Sequence, residues 1–345
     1  MSLLYLPNEL ICELAHWLND AADINSLVKT CRQLHKILNR KLYLADAESM
    51  AFEAITWAAE FNNVATARTS LAVGSGPFSA NEVYLIPFGI AVRHGHVDVV
   101  REFLQVKNLD VQNVWPSPLL SAASAGHMEL VKLLCNAGEW SHDVKDADGF
   151  TPLIMAAKAG HALVVQFLLS SGDVDINSRD NEGLSALAWA ASNGNESVVQ
   201  TLLKHDAIDV DSRDVSQRTP LMLAAQCGHE HIVQLFLGCD KSERETTDID
   251  GQTALGLAAV EDNDSVIKLL VGMGEVKVNS RNKMGQTPLW IASSYGNLRS
   301  VQELLQHETV DVNRPSHYGE TPMAIATENR HHDIATLLLK HGATD

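Results

Sequence analysis

One short phrase recurs along this chain at a nearly fixed interval. It reads Thr151-Pro152-Leu153, then Ala156-Ala157, then Gly160-His161. The same run stands at Thr219-Pro220-Leu221, Ala224-Ala225, Gly228-His229, and at Thr287-Pro288-Leu289, Ala292, Gly296-Asn297. Thr321-Pro322-Met323 with Ala326 repeats it once more. Weaker copies are Ser117-Pro118-Leu119 with Gly126-His127, Ser185-Ala186-Leu187 with Gly194-Asn195, and Thr253-Ala254-Leu255 with Ala258-Ala259. The proline position of the phrase falls at 87, 118, 152, 186, 220, 254, 288 and 322, one step of 31 and then six of 34. A degenerate first copy is expected at Ala54 to Asn63, where Ala58-Ala59 and Asn62-Asn63 hold the equivalent places. Repetition at this length signals small units that cannot each bury their apolar side alone and therefore stack.

Each part of the phrase has a mechanical reason. Thr or Ser before Pro is a helix N-cap followed by a residue whose missing N–H costs nothing in the first turn. Paired alanines let two helices approach closely. Gly then ends the first helix, because it tolerates the left-handed conformation there. A second apolar helix follows, carrying Val164-Val165, Phe167-Leu168-Leu169 in one copy and Val198-Val199, Leu202-Leu203 in the next. Their helical spacing predicts burial. Polar turns such as Asp180-Asn181-Glu182-Gly183 link the copies, and Asp146, Asp180, Asp214 and Asp248 recur at one turn position, which points to a structural role.

This pattern resembles the ankyrin repeat, whose period is about 33 residues. The tetratricopeptide repeat has a similar period, but its Trp-Leu-Gly-Tyr pattern is absent and the helix-opening Thr-Pro-Leu favours ankyrin. The resemblance covers about residues 50–345. It implies an all-α solenoid of about nine helix pairs with β-hairpin-like turns, and a concave face that binds another protein. The family's His after Thr-Pro-Leu is missing in every copy, where Leu120, Ile154, Ala188, Met222, Gly256, Trp290 and Ala324 stand instead. Its hydrogen bonds must be absent or replaced.

Residues 1–46 do not follow the repeat. They carry Leu6-Pro7-Asn8-Glu9-Leu10-Ile11, Leu14, Leu18, Asp23-Ile24, Leu27, Cys31-Arg32 and Tyr43. Pro7 suits a first helical turn, and Leu10, Leu14 and Leu18 share a face. The run resembles an F-box, the helical module that docks on the Skp-type adaptor of cullin-RING ubiquitin ligases. That resemblance implies that Leu6, Pro7, Leu10, Ile11, Leu14, Ile24 and Leu27 supply adaptor-facing apolar surface. The domain expectation is a head at 1–46 and an array at 47–345. The plainer alternative is that the head only caps the array, since solenoids need a terminal cover.

Charge narrows the partners. The chain of 345 residues has a formal net charge of -17, which argues against phosphate backbones and anionic membrane. Residues 1–46 balance five basic against five acidic side chains, so the excess acid lies beyond them. The five cysteines, Cys12, Cys31, Cys135, Cys227 and Cys239, show no C-x-x-C spacing. They read as reduced thiols of a cytoplasmic or nuclear protein. Of the 15 histidines, His96, His127, His161 and His229 follow the helix-ending Gly and read as structural. No metal, cofactor or catalytic motif is expected. A catalytic use of the groove would need a deep cavity, with Glu60, His94 and Trp115 as the nearest candidates.

The target-binding surface is expected along rows of equivalent positions. The residue before the cap runs through Phe150, Leu184 and Arg218, and two places earlier stand Asp148, Glu182, Asp250 and Tyr318. Tyr295 closes one first helix, and Trp115 precedes an early copy. Aromatic groups ringed by carboxylates are the expected form of an interaction hot spot. Trp57, Trp189 and Trp290 fall inside first helices and are expected in the core.

Overall fold

The computed structural model describes residues 51–73, 80–106, 117–138, 140–272 and 276–344. The F-box-like residues Leu6, Pro7, Leu10, Ile11, Leu14, Ile24 and Leu27, the loop from Gly74 to Pro77, and Trp115 lie outside them. The chain divides into two compact units, Met1–Asp146 and Ala147–Asp345.

The described residues form 18 helices in nine consecutive pairs. The first unit holds α1 (Ala51–Glu60), α2 (Val64–Val73), α3 (Ala80–Arg93), α4 (Val97–Phe103), α5 (Pro118–Ser124) and α6 (Met128–Ala137). The second holds α7 (Pro152–Ala159), α8 (Ala162–Ser170), α9 (Ala186–Ser192), α10 (Glu196–Leu203), α11 (Pro220–Gln226) and α12 (Glu230–Leu237). It continues through α13 (Ala254–Val260), α14 (Asp264–Gly272), α15 (Pro288–Tyr295), α16 (Leu298–Leu305), α17 (Pro322–Glu328) and α18 (His332–Lys340). Within each unit, first helices pack on first helices of the next copy and second helices on second helices. This is a solenoid of helix pairs.

The caps behave as their residue types require. The Oγ of Thr151, Ser185, Thr219, Thr253, Thr287 and Thr321 each accepts the N–H three residues on, at 3.1–3.4 Å. The alanine pairs 156–157, 190–191, 224–225 and 258–259 are fully buried. Second helices bury two adjacent residues and one a turn later, as in Val198, Val199 and Leu202, all at 0% exposure. Leu203, expected in the core, is only half-buried, as are Phe167 and Leu169. A helix of about one hundred degrees per residue cannot turn that many side chains inward at once.

Two expectations need correction. Pro87 does not open its helix but sits inside the 14-residue α3. The cap position before it is Ile86, which has no acceptor to hold the backbone extended, so the helix runs back to Ala80. The inter-copy turns are also barely hairpins. Among the described residues they contain one isolated bridge, Arg179 to Ser185.

Three ladders tie neighbouring copies of the second unit together. At the tips, the N–H groups of Asn181, Val215, Ile249, Lys283 and His317 each donate to a carbonyl of the preceding tip, Asp148, Glu182, Ser216, Asp250 and Met284 in turn. At the first-helix ends, the residue after the left-handed position reaches back one copy. His229 and His331 Nε2–H donate to the carbonyls of Ser192 and Ser294, and Asn195, Asn263 and Asn297 do the same with their amides. The first unit repeats this with His96 to Glu60 and His127 to Arg93, both at 3.1 Å. A Cβ on Gly194 would meet the His229 ring at 2.8 Å, so the glycine makes room for the stitch. The third ladder, in the loops after the second helices, joins Asn177, Asp211, Glu245, Asn279 and Asn313 to a backbone N–H of the next copy.

Candidate functional site

The turn carboxylates set up the surface of the second unit. Asp180 Oδ1 accepts the N–H groups of Glu182 and Leu184, which closes the tip. Its Oδ2 accepts the indole N–H of Trp189 at 2.7 Å. Asp214 repeats the device: Oδ1 takes the Arg218 N–H at 2.7 Å, and Oδ2 takes the Arg218 Nε–H at 2.8 Å. Asp248 Oδ1 accepts from Asp250 and Gln252. These aspartates are structural, as their recurrence predicts, and two of them also fix a side chain on the open face.

The residues expected along the target-binding rows differ in exposure. Asp148, Glu182 and Asp250 are exposed at successive or near-successive tips. Tyr318, at a later tip, is 76% exposed, and Tyr295, at the end of α15, is 63% exposed. Phe150, Leu184 and Arg218 are half-buried. Leu184 and Arg218 line an open trough of about 770 Å³ that also exposes Trp189, Gln226 and Glu261. Arg218 enters it already paired with Asp214, whose side chain is 2% exposed, and reaches Gln226 Oε1 at 3.3 Å. Phe150 adds a second aromatic group to this surface. It pairs with Trp189, ring centroids 5.8 Å apart, and Lys158 Nζ sits over both rings.

Trp189 is the residue that sequence reasoning misplaced. Trp57 and Trp290 are core, at 2% and 7% exposure. Trp189 is half-buried and lines the trough. Trp290 answers another question: its Nε1–H donates to the Glu320 carbonyl of the next copy at 3.0 Å. It stands at the position after Thr-Pro-Leu where His was expected from the resemblance, and from there it makes an inter-copy bond.

The residues considered for catalysis are scattered in function. Glu60 and His94 are both exposed, and the Glu60 carbonyl serves the His96 stitch. Among the described residues no group of three or more His, Cys, Asp or Glu side chains is placed to hold a metal ion. Among them, too, no helix is long and apolar enough to cross a membrane.

A stack of helix pairs with stitched tips and an open, charged trough defines a repeat protein built to present a binding surface. The family model of ankyrin repeats in three copies matches residues 88–180, 139–214, 171–245, 208–282, 231–316 and 255–345. The chain belongs to the ankyrin-repeat family, and its array is a protein-binding scaffold. No curated protein matches it.

Proposed function

We propose that this chain is a recruitment subunit in which the trough of the array holds a target protein and the segment 1–46 docks on a Skp-type adaptor of a cullin-RING ubiquitin ligase. The observation that carries the target half is the Phe150–Trp189–Arg218 surface, fixed by buried carboxylates and flanked by the exposed acids Asp148, Glu182 and Asp250. Rigid anchors of this kind lose little entropy on binding. The adaptor half is supported by the run Leu6-Pro7-x-Glu9-Leu10, Asp23-Ile24-x-x-Leu27 and Cys31-Arg32. In this reading the head and array are separate modules with a boundary near residue 46, and the array sets the distance between adaptor and target.

The test is co-purification of the full chain with a Skp-type adaptor. Stable association that is lost on Leu10→Asp and Leu14→Asp supports the proposal. No association, or association indifferent to both changes, refutes the adaptor half. In that event the head is a cap, and deletion of residues 1–46 lowers the cooperativity of thermal melting instead.

A further inference from the structure

The first two copies of the second unit hold a cation over aromatic rings. Lys158 Nζ lies 3.7 Å from the Trp189 ring centroid and 4.6 Å from that of Phe150. Among the described residues Lys158 has no ion-pair partner. The rings are tilted by 52°, which opens a wedge, and all three side chains are half-buried. Most lysines on a protein surface keep their ammonium in water. Here the ammonium sits over the two rings instead, which marks the wedge as a place where a positive charge is favoured.

We propose that Phe150 and Trp189 form a recognition site for an arginine side chain of the bound target protein, with Lys158 as a resident stand-in that the incoming guanidinium displaces. This rests on the reading that the array holds a target protein. It does not depend on the head.

Four features support the exchange. The wedge is preorganised: the Trp189 indole is locked edge-on by Asp180, and Asp180 is held by two backbone N–H groups. The host helix does not need to move, because the Lys158 carbonyl is anchored by the side-chain amides of Asn193 and Asn195 at 2.9 and 3.0 Å. Only the flexible stem has to swing away. The chemistry also favours the newcomer. A guanidinium is planar and more weakly hydrated than an ammonium, so it stacks on an aromatic face at lower desolvation cost. The tips of the same two copies carry the exposed carboxylates Asp148 and Glu182, which draw a basic segment toward the wedge.

The experiment uses the full chain labelled with ¹⁵N. The indole N–H resonance of Trp189, assigned by its loss in Trp189→Phe, is followed during titration with a capped pentapeptide of alternating glycine and arginine. The neutral control carries citrulline in place of arginine. The proposal expects a saturable shift with the arginine peptide and binding at least tenfold weaker with citrulline. Lys158→Ala tightens arginine-peptide binding at least threefold. Lys158→Met, which removes the charge but keeps a stem over the rings, tightens it less. Phe150→Leu weakens binding at least threefold. Equal binding of the two peptides, an unmoved Trp189 resonance, or no gain from Lys158→Ala overturns the site. Failure here with adaptor capture intact removes the arginine site alone, and loss of adaptor capture with arginine binding intact removes the head's role alone.

Discussion

Replacing Asp211 by asparagine restores the amide at one of the two ladder positions that carry a carboxylate, the other being Glu245. At equivalent positions in other copies, Asn177, Asn279 and Asn313 use both ends of the amide. Each Oδ1 accepts a backbone N–H from the next copy, and each Nδ2 donates to a carbonyl there. Asp211 makes only the first bond, accepting from the Glu243 N–H at 3.0 Å. Its other oxygen is buried without a partner. Burial pushes its ionisation above the usual aspartate range, the Glu243 N–H pulls it back in part, the Glu243 and Asp209 carboxylates add to the rise, and Arg213 opposes it least. A carboxyl raised in the folded state favours folding while protonated and loses that contribution as pH rises through its folded value. At neutral pH it therefore works against the fold. Asp211→Asn keeps the Glu243 bond, removes the charge, and offers Nδ2 to the carbonyl of Lys241, the position equivalent to Ala207 and Thr309. One added hydrogen bond is worth about 0.5–1.5 kcal/mol. For a unit of this size that raises Tm by roughly 2–4 °C per kcal/mol. Melting followed by circular dichroism at pH 7 and pH 3.5 checks it. The gain is expected at pH 7 and shrinks at pH 3.5, where the wild-type carboxyl is protonated. No gain at pH 7, or an equal gain at both, refutes the reasoning.

The backbone makes two further predictions possible. Gln217 and Arg330 occupy left-handed positions, φ 63° and 64°, that glycine fills in other copies. Gln217→Gly and Arg330→Gly are each expected to raise the urea midpoint by the equivalent of about 1 kcal/mol, since an L side chain costs about that much there. Leu202 is fully buried while Leu203 is half-buried. Leu202→Ala is expected to cost about 2–5 kcal/mol and Leu203→Ala clearly less, measured by urea denaturation. Equal losses contradict the assigned helix face.

The frame was legible because each repeated residue type answers one local need. Thr151 and Thr219 cap, the alanine pairs admit a neighbouring helix, and Gly160 and Gly228 turn left-handed. Pro87 misled because a proline alone does not start a helix when Ile86 offers no cap. Asp262 shows the reverse case. It holds a glycine position at φ 57°, and its carboxylate is used by the Ser300 N–H and hydroxyl. The loop ladder through Asn177 and Asp211 was hidden because its members change identity from copy to copy while keeping one acceptor in place.

Trp189 was misread for a reason that also says where function sits in such a chain. Its register position holds Met155, Leu223, Leu257, Ile291 and Ile325 in neighbouring copies, and the last four are buried. An aliphatic side chain ends inside that row, but an indole is longer and its tip must emerge on the open face. Once there, its N–H needs an acceptor, and Asp180 has one oxygen left after closing the turn. Arg218 draws on Asp214 in the same way. Position alone therefore told the truth about the backbone and misled about the side chain. The residues that differ from copy to copy give this surface its chemistry, and Asp180 and Asp214 hold two of them still with the oxygen that closing the turn leaves over.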